Sequence, residues 1–286
     1  MGDHILVLRN GGMGDVLMTT PVLRGLKEKY PGAVLAYMTF HEWEPLLEDN
    51  PHVDSIIPLA NHWGPWPEIK TVLPYFNIVV DLVMAAEQDK YLADWNRVEA
   101  FCDVAEVKPS SFKTVLVWPK RERDLKRILL HTDGTAAERC WPASYYARLA
   151  AMLKECGFQV TLIGTAGKVG LVDGAEDLCG QLGLSQTIDL IASSAALVGP
   201  DSGPFHIAAA LSTPTVGIFG PIPPELRVKH YSRHVVTLRS NVCAPCHHTP
   251  RCGVSPTEEA DRGKAPCMAT VYPEQAIKAL EGLRVL

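Results

Sequence analysis

Short apolar runs rich in Val, Ile and Leu alternate along the chain with segments whose apolar residues recur at helical spacing. Within residues 1–119 the runs predict buried strands and the other segments predict helices. The strands are HILVLR, AVLAYMTF, SIIPL and FNIVVDLV, and the helices are DVLMTTPVLRGLKEKY and ADWNRVEAFCDVAEV. Strands that are apolar throughout are typical of a largely parallel sheet covered by helices, so this pattern predicts an α/β unit.

The same alternation begins again after the charged segment KRERDLKR, residues 120–127. The second set of strands is ILLHTD, FQVTLIG, AALVGPD and TPTVGIFGP, and the second set of helices is ASYYARLAAMLKECG, TIDLIASS and SGPFHIAAAL. A chain of 286 residues with 47% hydrophobic positions is long enough for two cores of ordinary size. We therefore predict two consecutive doubly wound domains, residues 1–119 and 120–286.

Charge and hydropathy exclude some function classes. A formal net charge of −5 offers no basic surface for phosphate backbones, so we predict no nucleic-acid partner. No uncharged run reaches the roughly 18 to 20 residues that span a bilayer, and the first ten residues do not have the pattern of a signal peptide. We therefore expect a cytoplasmic protein. KRERDLKR is compatible with peripheral contact to anionic lipid of the inner membrane, although a solvated linker is the simpler interpretation.

Doubly wound sheets bind ligands outside the carboxyl ends of their strands, so the loops there are candidate sites. The first loop, NGGMGD, contains Gly11, Gly12, Gly14 and Asp15. Its spacing is not that of a dinucleotide-binding G-x-G-x-x-G loop, which argues against a nicotinamide-dependent oxidoreductase. Two interpretations of Asp15 stay open: it caps the following helix, or it projects from the loop and takes a proton from a substrate hydroxyl.

A second loop, in LLHTDGTAAERCWP, places Thr135 and Arg139 between a strand and a helix. A hydroxyl and a forked guanidinium so close together are suited to bind phosphate oxygens. An exposed loop with an ordinary surface arginine is an equally good interpretation of these residues.

The third loop, in LVGPDSGPFHIAAAL, combines Asp201, Ser202, Gly203 and His206. The backbone N–H groups of the helix start and the Ser202 hydroxyl could bind an anion, and Gly203 allows close approach. The alternative is that Asp201 or Ser202 caps the helix while His206 is a core residue.

Four of the eight cysteines cluster near the carboxyl end of the chain: Cys243, Cys246, Cys252 and Cys267. The close first pair suits thiolate binding of a structural zinc or iron ion, although the spacing is not a strong zinc signature. Reduced thiols in a packed loop and disulfides are the two alternatives.

Three motifs together resemble a known family. ILVLRNGGMGDVLMTTPVLRGLKEKYPGA, ERCWP and GPDSGPFHIAAALSTPTVGIFGP resemble, in order and separation, the bacterial lipopolysaccharide heptosyltransferases of glycosyltransferase family 9. With the terminal CMATVYPEQAIKAL, the resemblance covers most of the chain. It implies an α/β GT-B architecture, in which two Rossmann-like domains face each other across a cleft. The first domain would bind the acceptor and the second the nucleotide sugar.

The resemblance also assigns roles to individual residues. It makes Asp15 the general base, presented by a turn that Gly11, Gly12 and Gly14 shape. Arg139 stands where the family commonly has a lysine that stabilises the departing phosphates, and Thr135 matches a threonine that contacts phosphate. The donor-binding motif corresponds to Asp201, Ser202, Gly203 and His206.

The implied reaction is an inverting transfer of heptose, from ADP-heptose, to a lipopolysaccharide core or another bacterial glycan. No cofactor is required for catalysis, and Cys-rich tails like this one occur in parts of the family. Two alternatives remain: a nucleotide-sugar-binding protein without transfer activity, and a transferase that modifies a protein hydroxyl from a different donor.

Overall fold

The computed structural model describes residues 2–59, 67–92, 94–167, 170, 172–240, 242–243, 245–247, 252–255 and 257–286. The chain divides into two compact units, Met1–Pro119 (unit 1) and Lys120–Leu286 (unit 2). Each unit has its own parallel sheet with helices connecting the strands, so both are of the α/β class.

Unit 1 contains a four-stranded parallel sheet of order β3-β2-β1-β4. Its strands are β1 (His4–Leu8), β2 (Val34–Phe40), β3 (Ser55–Leu59) and β4 (Ile78–Asp81). Its helices are α1 (Met13–Met18), α2 (Thr20–Lys29), α3 (Pro67–Val72), α4 (Asp89–Leu92) and α5 (Arg97–Val104), with 3-10 turns at His41–Leu46, Leu73–Tyr75 and Ala85–Glu87. β1 lies between β2 and β4 and is buried after its first residue, which explains its unbroken apolar run.

The segment that predicts one long helix after β1 forms two. α1 ends at Met18 and α2 begins at Thr20. The hydroxyl of Thr19 donates to the carbonyl of Val16 at 2.7 Å, and that of Thr20 donates to the carbonyl of Leu17 at 2.8 Å. Pro21 has no N–H and favours the first turn of a new helix, so the helix is interrupted at Thr19. The interruption leaves α1 as a short helix that carries the end of the glycine loop.

Unit 2 contains a six-stranded parallel sheet of order β10-β9-β8-β5-β6-β7. Its strands are β5 (Asp124–His131), β6 (Gln159–Ile163), β7 (Glu176–Asp177), β8 (Ser194–Pro200), β9 (Thr215–Phe219) and β10 (Val235–Arg239). Its helices are α6 (Ala143–Glu155), α7 (Leu184–Ala192), α8 (Gly203–Ala210), α9 (Glu225–Val228), α10 (Pro266–Ala269) and α11 (Pro273–Gly282), with 3-10 turns at Ala137–Arg139 and Glu259–Asp261.

Two parts of unit 2 differ from the predicted pattern. β5 begins at Asp124, so the last four residues of the charged segment belong to a strand and not to a linker. Its first residues are exposed or half-buried, and its apolar half begins at Ile128. β10 at Val235–Arg239 was not predicted; it is an edge strand with every residue half-buried, so it lacks a continuous apolar run.

The core of unit 2 joins the terminal helix to the sheet. Trp141 is 2% exposed, packs edge-on against Tyr146, and donates its indole N–H to the carbonyl of Val271 at 2.8 Å. Because all strands of this sheet are parallel, the loops after β5, β8 and β9 leave the sheet at the same edge. These loops carry most of the residues predicted to bind a ligand.

Candidate active site

The glycine loop of unit 1 connects β1 to α1 and presents Asp15 in the first helical turn. Gly12 occupies the N-cap position, and the backbone N–H of Asp15 donates to the carbonyl of Gly12 at 2.9 Å. Asp15 is therefore not the capping residue. Its side chain is 20% exposed, and its two oxygens face two arginines.

Arg9 and Arg97 hold the Asp15 carboxylate from two directions. Nη2 of Arg9 donates to Oδ2 of Asp15 at 2.9 Å, while Nε of Arg97 lies 3.3 Å from Oδ1. Both guanidinium groups also contact Glu87, at 3.3 Å from Arg9 and 3.4 Å from Arg97. The four side chains form a closed ring of alternating charge, which we call the Asp15 ring.

The Arg9 guanidinium is a buried cation with many partners. Its side chain is only 2% exposed, and Nη1 donates to the carbonyl of Leu82 at 2.7 Å and to that of Val83. It also lies 5.1 Å from the centre of the Phe101 ring. Burial alone would lower the pKa of Arg9, but Asp15 and Glu87 outweigh it and raise the pKa. Arg9 is therefore a permanent positive charge beneath the loop.

Gly11 makes room for that cation. A Cβ atom at Gly11 would lie 2.6 Å from Nη2 and 2.8 Å from Cζ of Arg9, whereas a Cβ at Gly12 would meet no heavy atom within 4 Å. The indole N–H of Trp43 donates to the carbonyl of Gly11 at 3.0 Å and holds the loop in place. A side chain would therefore clash with Arg9 at position 11, whereas position 12 has room for one.

In unit 2, Asp201 is at the centre of a second charged cluster. It follows β8, is 6% exposed, and its Oδ1 lies 3.1 Å from Nε2 of His206. Its other oxygen, Oδ2, faces the guanidinium groups of Arg227 at 3.5 Å and Arg139 at 3.9 Å. Burial opposes the charge, but the His206 hydrogen bond and the two arginines outweigh it and hold the Asp201 pKa well below its usual range.

The side chain of His206 is buried inside unit 2. It is 3% exposed, with Nε2 bonded to Asp201 and Nδ1 lying 2.6 Å from the hydroxyl of Tyr231. Burial raises the pKa of Tyr231 far above its usual value, so its hydroxyl stays protonated and can donate to Nδ1. Both ring nitrogens are therefore engaged, and His206 positions the Asp201 carboxylate.

Ser202 and Gly203 lie where β8 turns into α8. Ser202 makes no capping hydrogen bond; its Oγ lies 3.0 Å from Nδ1 of His131 and 3.1 Å from the carbonyl of Pro200. The N-cap side chain therefore does not accept a hydrogen bond from the backbone N–H groups at the start of α8. The absence of such a bond is a condition for binding an anion there. Burial lowers the pKa of His131 to about 4, so this histidine is neutral at pH 7.

A small pocket opens beside this cluster, with room for about one water molecule. Its lining residues are Arg139, Asp201, Ile218, Phe219, Gly220, Pro221, Ile222 and Met268. Such a pocket is far too small to bury a whole ligand, since sites of that kind measure roughly 300 to 1,000 Å³. Thr135 is exposed on the loop before Arg139 and does not line this pocket.

The structure adds residues that the sequence motifs did not indicate. In unit 2 the added residue is Arg227, on the short helix Glu225–Val228 after β9. The sequence could have indicated it, because the loop after β9 follows the carboxyl end of a parallel strand, where ligands bind. In unit 1 the additions are Arg9, Glu87 and Arg97. Only Arg9 had a signal, as a charged residue that directly ends a buried strand.

Within the part of the chain that the structure describes, Cys243 and Cys252 are exposed, Cys246 is half-buried and Cys267 is buried. No group of three or more Cys, His, Asp or Glu residues is placed there to hold a metal ion, and all eight cysteines are free thiols. Burial raises the pKa of Cys267 to about 12, with smaller contributions from the charges of Cys243 and Cys246.

Comparison with known proteins decides the family. The model of glycosyltransferase family 9 (heptosyltransferase) matches residues 19–252. The chain belongs to glycosyltransferase family 9. The predicted family and enzyme class are therefore confirmed, and this family 9 chain is a glycosyltransferase.

Relatives of this family 9 glycosyltransferase match over nearly its whole length. Lipopolysaccharide heptosyltransferase 2 of Escherichia coli (strain K12) is 24% identical, with 98% of each chain covered. The solved structure of E. coli ADP-heptose lps heptosyltransferase II has a TM-score of 0.71 at 21% identity, covering 98% of both chains. The iron-containing dodecameric glycosyltransferase TibC of enterotoxigenic E. coli H10407 has a TM-score of 0.76 at 17% identity, covering 99% of this chain and 78% of TibC.

These structural matches confirm the predicted α/β GT-B fold class. Within the described ranges, no helix is both long and apolar enough to cross a bilayer.

Proposed function

We propose that this glycosyltransferase transfers heptose from ADP-heptose to a lipopolysaccharide core or a related bacterial glycan, with inversion at the anomeric carbon. The names of relatives that match over 98% of their length support the donor and the acceptor class. The observation that carries the mechanism is the Asp15 carboxylate, held by two guanidinium groups at the carboxyl end of β1 and still 20% exposed.

Asp15 is the general base in this proposal. It is held by Arg9 and Arg97, and its exposed part can accept a proton from an acceptor hydroxyl. The acceptor oxygen forms a bond to the anomeric carbon while the bond between that carbon and the diphosphate oxygen breaks. Unit 1 is therefore proposed to bind the acceptor.

The donor is assigned to unit 2. Negative charge grows on the diphosphate as the glycosidic bond breaks, so cations near it stabilise the transition state more than the ground state. The guanidinium groups of Arg139 and Arg227 lie 3.9 and 3.5 Å from the Asp201 carboxylate, and their positive charge would attract the phosphates. Thr135 and the start of α8 at Ser202 and Gly203 offer further donors.

Asp201 and His206 are positioning residues within this donor site. His206 fixes Oδ1 of Asp201, which leaves Oδ2 to hold the two guanidinium groups side by side. Two adjacent cations repel each other, and the buried carboxylate offsets that repulsion. The guanidinium pair supplies positive charge to the leaving group without a required metal ion.

The test uses the purified full chain, ADP-heptose, and a deacylated lipopolysaccharide-core oligosaccharide as acceptor. Release of nucleoside diphosphate is measured for wild type, Asp15→Asn and Asp15→Ala, with GDP- and UDP-sugars as alternative donors and donor binding by calorimetry. We expect acceptor-dependent release from ADP-heptose that falls at least about a hundredfold in both variants while donor affinity is kept. The product linkage, determined by NMR, checks inversion.

Other outcomes separate the alternatives. Turnover by Asp15→Asn at the wild-type rate would remove the base assignment. Tight ADP-heptose binding with no release would favour a non-catalytic binding protein, and release from another donor onto a protein substrate would favour a protein glycosyltransferase.

We propose a cytoplasmic enzyme that contacts the inner-membrane surface when its acceptor carries a lipid.

A structural zinc or iron ion at Cys243, Cys246, Cys252 and Cys267 stays a prediction. It is tested by metal analysis of wild type and Cys267→Ser. An equimolar ion retained by wild type and lost in the variant supports it, and metal-free wild type contradicts it.

A further inference from the structure

Glu87 belongs to no motif of the sequence, yet it completes the Asp15 ring. It lies on the 3-10 turn Ala85–Glu87 after β4 and is 31% exposed. Its Oε1 is 3.3 Å from Nη2 of Arg9 and 3.4 Å from Nη1 of Arg97, and its Oε2 is 3.3 Å from Nη1 of Arg9. Both arginines that hold Asp15 are therefore shared with a second carboxylate.

The number of cations around Asp15 affects how readily it takes up a proton as a general base. Each oxygen of Asp15 faces a guanidinium, and nearby cations lower the pKa of a carboxyl group by favouring its charged form. A carboxylate held by two uncompensated cations is a weak base, and proton transfer to it is correspondingly less favourable. Glu87 brings the charge of the ring to two positive and two negative groups.

We propose that Glu87 is a positioning residue that keeps Asp15 basic by sharing Arg9 and Arg97 with it. The inference rests on the proposed role of Asp15 as general base. Glu87 acts through the two arginines and does not touch the reacting atoms. Its position also fixes the Arg97 side chain, which is 13% exposed, between the two acids.

Two further titratable groups of unit 1, Tyr37 and Cys102, do not change their charge at working pH. Tyr37 on β2 is fully buried, its hydroxyl lies 2.7 Å from that of Thr19, and burial raises its pKa well above the usual range. Cys102 on α5 is buried near Glu99, and burial, together with that charge, raises its pKa to about 12. Among these described groups, the charge balance at Asp15 is set by Arg9, Arg97 and Glu87.

The proposal is tested by a cycle of three full-length variants: Glu87→Gln, Arg97→Gln and the double variant. The rate of nucleoside diphosphate release from ADP-heptose is measured from about pH 4 to 9 with the deacylated core oligosaccharide, and kcat and KM are separated for each substrate. Glu48→Gln serves as the matched control, because Glu48 is an exposed residue of the same unit and its substitution changes the net charge equally.

The two single variants are expected to move the acid limb of the pH dependence of kcat in opposite directions. Glu87→Gln leaves two cations on Asp15, so the acid limb of kcat moves down by about one pH unit and kcat at pH 7.5 falls about threefold to tenfold. Arg97→Gln removes one cation, so the limb moves up by about one unit. The double variant restores one cation for one carboxylate and brings the limb back to within about half a unit of wild type.

The proposal is overturned if Glu87→Gln leaves the limb and kcat like those of Glu48→Gln, or if the double variant falls further instead of recovering. A purely structural role would lower the melting temperature of Glu87→Gln without moving the limb. Asp15→Asn is measured in the same series: if it retains turnover, the base assignment fails first, whereas its loss together with an unshifted Glu87→Gln limb contradicts only the role of Glu87.

Discussion

Replacing Gly11 by alanine tests the geometry beneath the candidate base. The new methyl carbon would lie 2.6 Å from Nη2, 2.7 Å from Nε and 2.8 Å from Cζ of Arg9. Favourable contacts begin near about 3.5 Å, so the guanidinium must move by roughly 0.7 to 0.9 Å. Arg9 cannot move freely, because its side chain is 2% exposed and bonded to Leu82, Val83, Asp15 and Glu87.

The cost follows from the bond that is lost. A displacement of that size breaks the 2.9 Å bond between Arg9 and Asp15. A hydrogen bond to a charged group contributes about 1.5 to 3 kcal/mol, and alanine recovers about 0.5 kcal/mol by restricting the unfolded chain. We expect Gly11→Ala to reduce the free energy of unfolding by about 2 kcal/mol. For a unit of this size, that lowers the melting temperature by about 8 °C.

Gly12→Ala is the matched control, since a Cβ there meets no heavy atom within 4 Å. Thermal melting and urea unfolding of both variants are compared with wild type by circular dichroism. The reasoning is refuted if Gly11→Ala melts within about 2 °C of Gly12→Ala. A second check uses Arg9→Met as background: without the guanidinium, Gly11→Ala is expected to cost less than about 0.5 kcal/mol.

Two further predictions concern stability and pH. Because the pKa of His131 is about 4 when folded and 6.5 in its unperturbed form, the unfolded chain gains the proton first as pH falls. We expect His131 to contribute about 3 kcal/mol to a loss of stability between pH 6.5 and 4, and His131→Gln to flatten that decline in urea unfolding. Asp201→Asn leaves Arg139 and Arg227 facing each other without their carboxylate, at an expected cost of about 3 kcal/mol at pH 7. The Asp201 pKa is lowered from 3.8, so its contribution is present above that pH and is lost below it; the gap between variant and wild type, measured by urea unfolding, should narrow at pH 3. A gap that stays constant with pH would contradict this assignment.

The sequence alone determined the α/β fold class, the family and the enzyme class. The runs HILVLR and AALVGPD predicted β1 and β8, which form at His4–Leu8 and Ser194–Pro200. A strand that is buried on both faces consists mostly of apolar residues. The apolar pattern did not indicate the helix boundary at Thr19, because it continues through both α1 and α2. At this boundary Pro21 lacks the N–H that would continue α1, and the hydroxyls of Thr19 and Thr20 donate to carbonyls of its last turn.

The roles of the site residues depended on the tertiary structure. His206 lies in the family motif, yet only the fold shows that Asp201 and Tyr231 engage both of its nitrogens. Arg9 and Glu87 are 78 positions apart in the chain, and no local pattern joins them. Hydrophobic periodicity reports which face of each element is buried, whereas the pairing of charges depends on where distant elements meet. The sequence therefore indicated the candidate loops, and the packing of β1, α5 and the turn at Ala85–Glu87 decided which charges surround Asp15.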